Sequence, residues 1–200
     1  MTASGLVRHE VNDFGTWKKA YDESTEFIKS MGVIADSVHR DLHNPNLVTV
    51  YHQFADAATL KAFTVALNGD DFKAMAEREG IQLETMELFL MQDVLPRAGI
   101  SSESGTASLI ARHEVKDYDA WMEMFNGGAD IKKELGVITQ SVHRDLDNPN
   151  MVTVYHQFAD VATARAFVDA LNSDRFRGPA TESGNILLET MVVMLMADVE

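Results

Sequence analysis

Histidine is the residue with most chemistry to offer in this sequence, and its positions come in pairs. Six of the seven histidines recur at a constant spacing of 104 residues, the difference between 113 and 9: His9 with His113, His39 with His143, and His52 with His156. The seventh, His43, stands where the other copy has Asp147 and reads as a turn residue. Along an extended strand, alternate residues share a side. Val7, His9 and Val11 therefore lie on one side of a first strand, and Val48, Val50, His52 and Phe54 on one side of a third. If those strands are neighbours, His9 and His52 meet in a cleft, as do His113 and His156. These four are the candidate catalytic residues. An imidazole acting as a base should reach that cleft and titrate near neutrality. The competing reading is a hydrogen-bonded core histidine.

A carboxylate can be added to each pair. Glu84 shares its alternation with Met86, Leu88 and Leu90, and Glu189 shares it with Met191, Val193 and Leu195. Two histidines and a glutamate would suit a divalent metal, so His9, His52 and Glu84, with His113, His156 and Glu189, are the metal candidates. The same set would suit a general base whose tautomer a carboxylate holds. Trp17, Phe54 and Met86, with Trp121, Phe158 and Met191, supply apolar walls and are the candidate substrate-binding residues. Arg8, Glu10, Tyr51 and Gln53 fall on the opposite side. Charges buried there must pair, because an unpaired buried charge is costly.

The elements that must position these residues occur twice. Arg8-His9-Glu10-Val11 returns as Arg112 to Val115, Ser37 to Leu42 as Ser141 to Leu146, and Val48 to Asp56 as Val152 to Asp160. A repeat of this length is a small domain copied and fused. Each copy reads strand, helix, strand, strand, helix, strand. Asp13 caps a helix carrying Phe14, Trp17, Tyr21, Ile28 and Met31, which Gly32 ends. Val33 to Leu42 and Leu47 to Phe54 pair as a hairpin across Asn44-Pro45-Asn46. Asp56 caps a helix with Leu60, Phe63 and Leu67, and Leu83 to Val94 is the last strand. The order βαββαβ is the ferredoxin-like split motif. It implies a sheet order of 4-1-3-2 with both helices on one face. The fold class expected is α+β, two ferredoxin-like repeats whose bare sheet faces cover each other as an intramolecular dimeric α+β barrel. Residues 1–95 form the first repeat, 96–108 a Ser/Gly-rich linker, and 109–200 the second.

Composition narrows the chemistry. No cysteine is present, which excludes thiolate nucleophiles and sulfur-bound zinc. A net charge of −14 argues against nucleic acid. No apolar run suits a membrane span and the N-terminus lacks the pattern of a secretory leader, so the expectation is a cytoplasmic protein.

Arg8 to Trp17, Arg112 to Trp121 and the stretch from Val38-His39-Arg40-Asp41-Leu42 to Tyr51-His52-Gln53-Phe54-Ala55-Asp56 carry a family likeness. The chain resembles the antibiotic-biosynthesis-monooxygenase-like branch of the dimeric α+β barrel superfamily. The resemblance covers both halves and implies that one chain holds what most relatives build from two. It also implies a range of activities: cofactorless oxygenases, haem-degrading and haem-binding enzymes, cyclases, lactone isomerases and stress-responsive proteins. The leading expectation is a small-molecule enzyme of the cofactor-independent monooxygenase or cyclase/isomerase type. Its substrate would be a hydrophobic phenol or enol, deprotonated by histidine. The alternatives are a non-catalytic ligand-binding or stress-responsive protein, and a metal- or haem-binding protein with an axial ligand from the same histidines.

The copies differ in telling places. Asp22-Glu23-Ser24 becomes Asn126-Gly127-Gly128, and glycines inside a helix weaken it. Lys73 to Gly80 becomes the longer segment Arg177 to Asn185, with Gly178-Pro179, which reads as a poor helix. Both changes predict the larger cleft in the second copy.

Overall fold

A computed structural model describes residues 1–95, 107–183 and 185–199. The first half runs β1 (Ala3–Val11), α1 (Phe14–Glu23), α2 (Thr25–Ser30), β2 (Val33–Asp41), β3 (Leu47–Phe54), α3 (Ala57–Leu67), α4 (Asp70–Glu79) and β4 (Ile81–Leu95). The second runs β5 (Ala107–Val115), α5 (Tyr118–Gly127), α6 (Ala129–Glu134), β6 (Thr139–Asp145), β7 (Met151–Phe158), α7 (Val161–Leu171), α8 (Asp174–Glu182) and β8 (Ile186–Val199). Residues 96–106 of the expected linker lie outside the described residues, whereas Ala107 and Ser108 are already strand. No described helix is long and apolar enough to cross a membrane.

Each half is a ferredoxin-like βαββαβ unit. In the first, β1 pairs antiparallel with both β3 and β4, and β3 pairs with β2, giving the order 4-1-3-2. In the second, β5 pairs with β7 and β8, and β7 with β6. Helix starts are fixed by aspartates that accept from the exposed N–H groups of the first turn. Asp13 accepts from Thr16 at 2.8 Å, Asp117 from Ala120 at 3.0 Å, Asp56 from Thr59 at 2.8 Å and Asp160 from Thr163 at 2.7 Å.

The expected first helix is broken in both copies. In the first half α1 ends at Ser24, whose hydroxyl and N–H both bond Ala20 O, and α2 begins on the next residue. The second half breaks at Gly128, the equivalent position, so Gly127 and Gly128 sit at a helix junction rather than inside a helix. The segment read as a poor helix is α8, with Pro179 inside it. Pro179 is the sixth residue of this helix, past the first turn where a missing N–H is free of cost, so α8 forms one backbone hydrogen bond short.

The helix-covered side of each sheet is the histidine side. Trp17, Val11, Val38, Val48 and Val50 form one buried cluster in the first half; Trp121, Phe125, Val115, Val142, Val152 and Val154 form its counterpart in the second. On the opposite side the arginines form ion pairs and the carboxylates Glu10, Glu114 and Asp93 accept hydrogen bonds from neutral side chains. Arg8 bonds Asp41 at 3.1 Å and Arg112 bonds Asp145 at 2.6 Å, while Ser4 links Tyr51 to Asp93, which also accepts from Gln53 at 3.0 Å.

Candidate active site

In the register of β1 and β3, His9 lies opposite Val48, Val7 opposite Val50, and His52 opposite Gly5. The two histidines thus stand on one face with a valine pair between them. They form the floor of a cavity of about 400 Å³ roofed by α1 to α4. The second half repeats the arrangement, with His113 and His156 flooring a cavity of about 550 Å³. The larger cavity is in the second half, as its sequence predicts.

Aromatic side chains hold each imidazole. Trp17 meets His9 edge to face at 5.7 Å between ring centroids, and Phe63 packs on His52 at 5.2 Å. Trp121 and Phe167 do the same for His113 and His156 at 5.8 and 5.0 Å. All four histidines are at least 95% buried. Burial disfavours the imidazolium, so the pKa falls from 6.5 to about 4 for His9, His52 and His113, and to about 3 for His156. The four rings reach the cleft but do not titrate near neutrality, contrary to the sequence expectation. Both ring nitrogens of His9, His113 and His156, and Nδ1 of His52, have no protein hydrogen-bond partner. Buried donors and acceptors in this state are uncommon and point to a ligand or water. His39 and His143 differ: each has a serine hydroxyl on Nε2, from Ser37 at 2.9 Å and Ser141 at 2.8 Å.

The carboxylates expected beside these histidines are elsewhere. Glu84 and Glu189 are exposed and line neither cavity. The cause is a β-bulge. Between the pairs Glu10–Gln82 and Arg8–Glu87, β1 places His9 alone, whereas β4 fits in Leu83, Glu84, Thr85 and Met86. Alternation fails across such an insertion, so Met86 faces the cavity and Glu84 does not. The Thr85 hydroxyl closes the bulge, accepting from Glu10 N at 2.8 Å and donating to Gln82 O at 2.7 Å. Thr190 does the same opposite His113, between Glu114 N and Leu187 O. Among the described residues no group of three His, Cys, Asp or Glu could hold a metal ion. Haem carries two carboxylates, and the charged residues around the first cavity are Asp70, Asp71 and Glu79, so that cavity does not suit it.

Of the expected apolar walls, Trp17, Met86, Trp121 and Met191 line the cavities. Phe54 and Phe158 do not. Each is fully buried behind its histidine, packed on Phe63 or Phe167 at 5.1 Å.

The structure adds residues that alternation did not single out. In the first half the Tyr21 hydroxyl bonds Asp36 at 2.7 Å and His52 Nε2 at 3.1 Å. Burial and the Asp36 carboxylate raise the Tyr21 pKa, so the phenol stays protonated. Phe125 and Gln140 occupy these positions in the second half, and the chain of bonds is absent there. Lys132 replaces Ile28 instead, and lines the second cavity. Comparison of the copies carried both signals, because a tyrosine-to-phenylalanine and an apolar-to-lysine change stand out within otherwise matched segments.

No protein-family model matches the chain, and no curated protein matches it. Solved structures do. An anthrone oxidase-like protein matches 100% of the chain over 92% of its own, with TM-score 0.70 and 13% identity. A candidate monooxygenase from Fusobacterium nucleatum matches 100% over 93%, with TM-score 0.65 and 15% identity. A ferredoxin-fold protein related to antibiotic biosynthesis monooxygenases, from Listeria monocytogenes, matches 100% over 96%, with TM-score 0.55 and 8% identity. The fold of this chain is that of the monooxygenase-like ferredoxin-fold proteins.

Proposed function

We propose that this protein is a small-molecule enzyme of the cofactor-independent monooxygenase or cyclase/isomerase type, acting on a hydrophobic phenol or enol. The observation that carries the reading is the set of four buried imidazoles, each flooring an apolar cavity with at least one ring nitrogen that the protein leaves unbonded. A pKa of about 3 to 4 keeps each imidazole neutral at physiological pH and so able to accept a proton. Its basicity rises as an anion forms beside it, since an adjacent negative charge favours the imidazolium. The proton of an enol or acidic C–H passes to an imidazole nitrogen, the electron pair stays on the substrate, and the resulting anion reacts with oxygen or rearranges. The apolar walls exclude water from this ion pair. Likeness to an anthrone oxidase-like fold is consistent with an enolisable tricyclic substrate.

The test is oxygen uptake and product formation with anthrone, 1-naphthol and an aryl β-diketone. The double variants H9Q/H52Q and H113Q/H156Q should each lose on the order of 10²-fold or more of the turnover of their cavity, with the circular dichroism of the folded protein retained.

A second reading, a non-catalytic ligand-binding protein, is favoured by the same lowered pKa values, because an imidazole of pKa about 3 or 4 is a weak base. Tight binding of these compounds without turnover would select it.

A further inference from the structure

The two cavities share their histidines but differ in charge. The charged residues around the first are Asp70, Asp71 and Glu79; around the second they are Lys132 and Arg177, with no carboxylate among the described lining residues. Most of these stand at the rim. Lys132 does not: it is 9% exposed and its ammonium is held against Phe125 of α5. Its Nζ donates to Phe125 O at 2.9 Å and lies 3.1 Å from the centroid of the Phe125 ring. No described carboxylate forms an ion pair with it. An ammonium taken out of water needs a counter-charge. One carbonyl and a ring face offset only part of that cost.

The surroundings point the same way. Asp36, which in the first half reaches His52 through Tyr21, is replaced by the uncharged Gln140, so the second half lacks the carboxylate of this position. His113 and His156, over nine-tenths buried, offer nitrogens bare of protein bonds. Burial lowers the Lys132 pKa to about 8, so the ammonium persists at neutral pH.

We infer that the second cavity binds an amphipathic organic anion, an aromatic or aliphatic body bearing one carboxylate, with Lys132 as its counter-ion, whereas the first cavity takes uncharged ligands. This rests on the reading that the cavities hold organic ligands. It is tested by binding alone, so failure to find turnover leaves it standing.

The probes are 2-naphthoate and its methyl ester, titrated by calorimetry at pH 7. The full-length protein should bind one equivalent of naphthoate. K132I, which installs the first half's own residue, should weaken naphthoate at least about tenfold, the loss of one charge-assisted contact, and leave the ester unchanged. K132R should retain the acid. Location is read by fluorescence, since each cavity holds one of the two tryptophans. Naphthoate should quench Trp121 in W17F and leave Trp17 unquenched in W121F. Absence of naphthoate binding, equal binding by wild type and K132I, equal weakening of acid and ester, or quenching of Trp17 alone would each overturn the inference. If K132I fails to fold, I28K decides: a second equivalent of naphthoate supports it, and unchanged stoichiometry overturns it.

Discussion

The Tyr21 hydroxyl is shared between Asp36 and His52, and it fixes which nitrogen of His52 carries the proton. A phenol has one proton, and the carboxylate at 2.7 Å is the stronger acceptor. The phenol oxygen must then accept from Nε2 at 3.1 Å, so His52 is the Nε2–H tautomer with its lone pair on Nδ1. Ring ¹⁵N shifts should show His52 protonated at Nε2 alone. Y21F should convert it to a tautomer mixture, which His156 beside Phe125 should already display. A wild-type His52 protonated at Nδ1 would contradict the assignment.

Acid should unfold this protein earlier than its carboxylates alone would dictate. The four cavity histidines have folded pKa values of about 3 to 4 against 6.5 when unfolded. Above pH 6.5 both states are neutral and the stability is intact. As pH falls from 6.5 toward 4 the unfolded chain takes up protons that the folded one refuses, and stability is lost. Each ring contributes up to about 1.4 kcal/mol per pH unit. Urea midpoints at pH 7.5, 6 and 5 should fall steeply, and H9Q or H113Q should flatten the slope. A midpoint constant down to pH 5 would contradict the burial of these rings.

Thr85 and Thr190 should matter through their hydroxyls. T85V keeps the shape but leaves Glu10 N–H without its acceptor, at a cost of about 1–3 kcal/mol. T85S should retain most of the stability. T190V should behave the same way at Glu114. Equal denaturant midpoints for T85V and wild type would show that the bulge is held by other means.

Glycines at α2 and α6 exits should resist substitution, and those at the α5–α6 junction should not. Gly32 and Gly136 have φ of 93° and 84°, and a Cβ on either would lie 2.4 Å from Cγ2 of Thr59 or Thr163. G32A and G136A should each lose about 1 kcal/mol or more. A Cβ on Gly127 meets nothing within 4 Å, so G127A should hold or raise the melting temperature. A stable G32A would contradict the left-handed geometry at that exit.

Alternation and the internal repeat were enough to place His9 beside His52 and to order the strands, because both depend on backbone periodicity. Glu84 was misplaced for a physical reason. The insertion around Thr85 is closed by a side-chain hydroxyl that stands in for a backbone partner, and hydrophobic patterning does not register it. The Ser24 break was hidden similarly, since Tyr21 and Ile28 keep helical spacing across it. Lys132 lies in Ala129-Asp130-Ile131-Lys132-Lys133-Glu134, a segment polar enough to read as solvated until it is laid over its copy.

A homodimer assembled from one gene is bound by symmetry: any substitution that alters one chamber alters its twin. Covalent fusion lifts that constraint. Ile28 and Lys132 are separate codons, so one chamber can carry a cation while the other carries Tyr21 and Asp36. The product is a single polypeptide delivering two unlike chambers in a fixed one-to-one ratio, which no change in expression or subunit exchange can disturb.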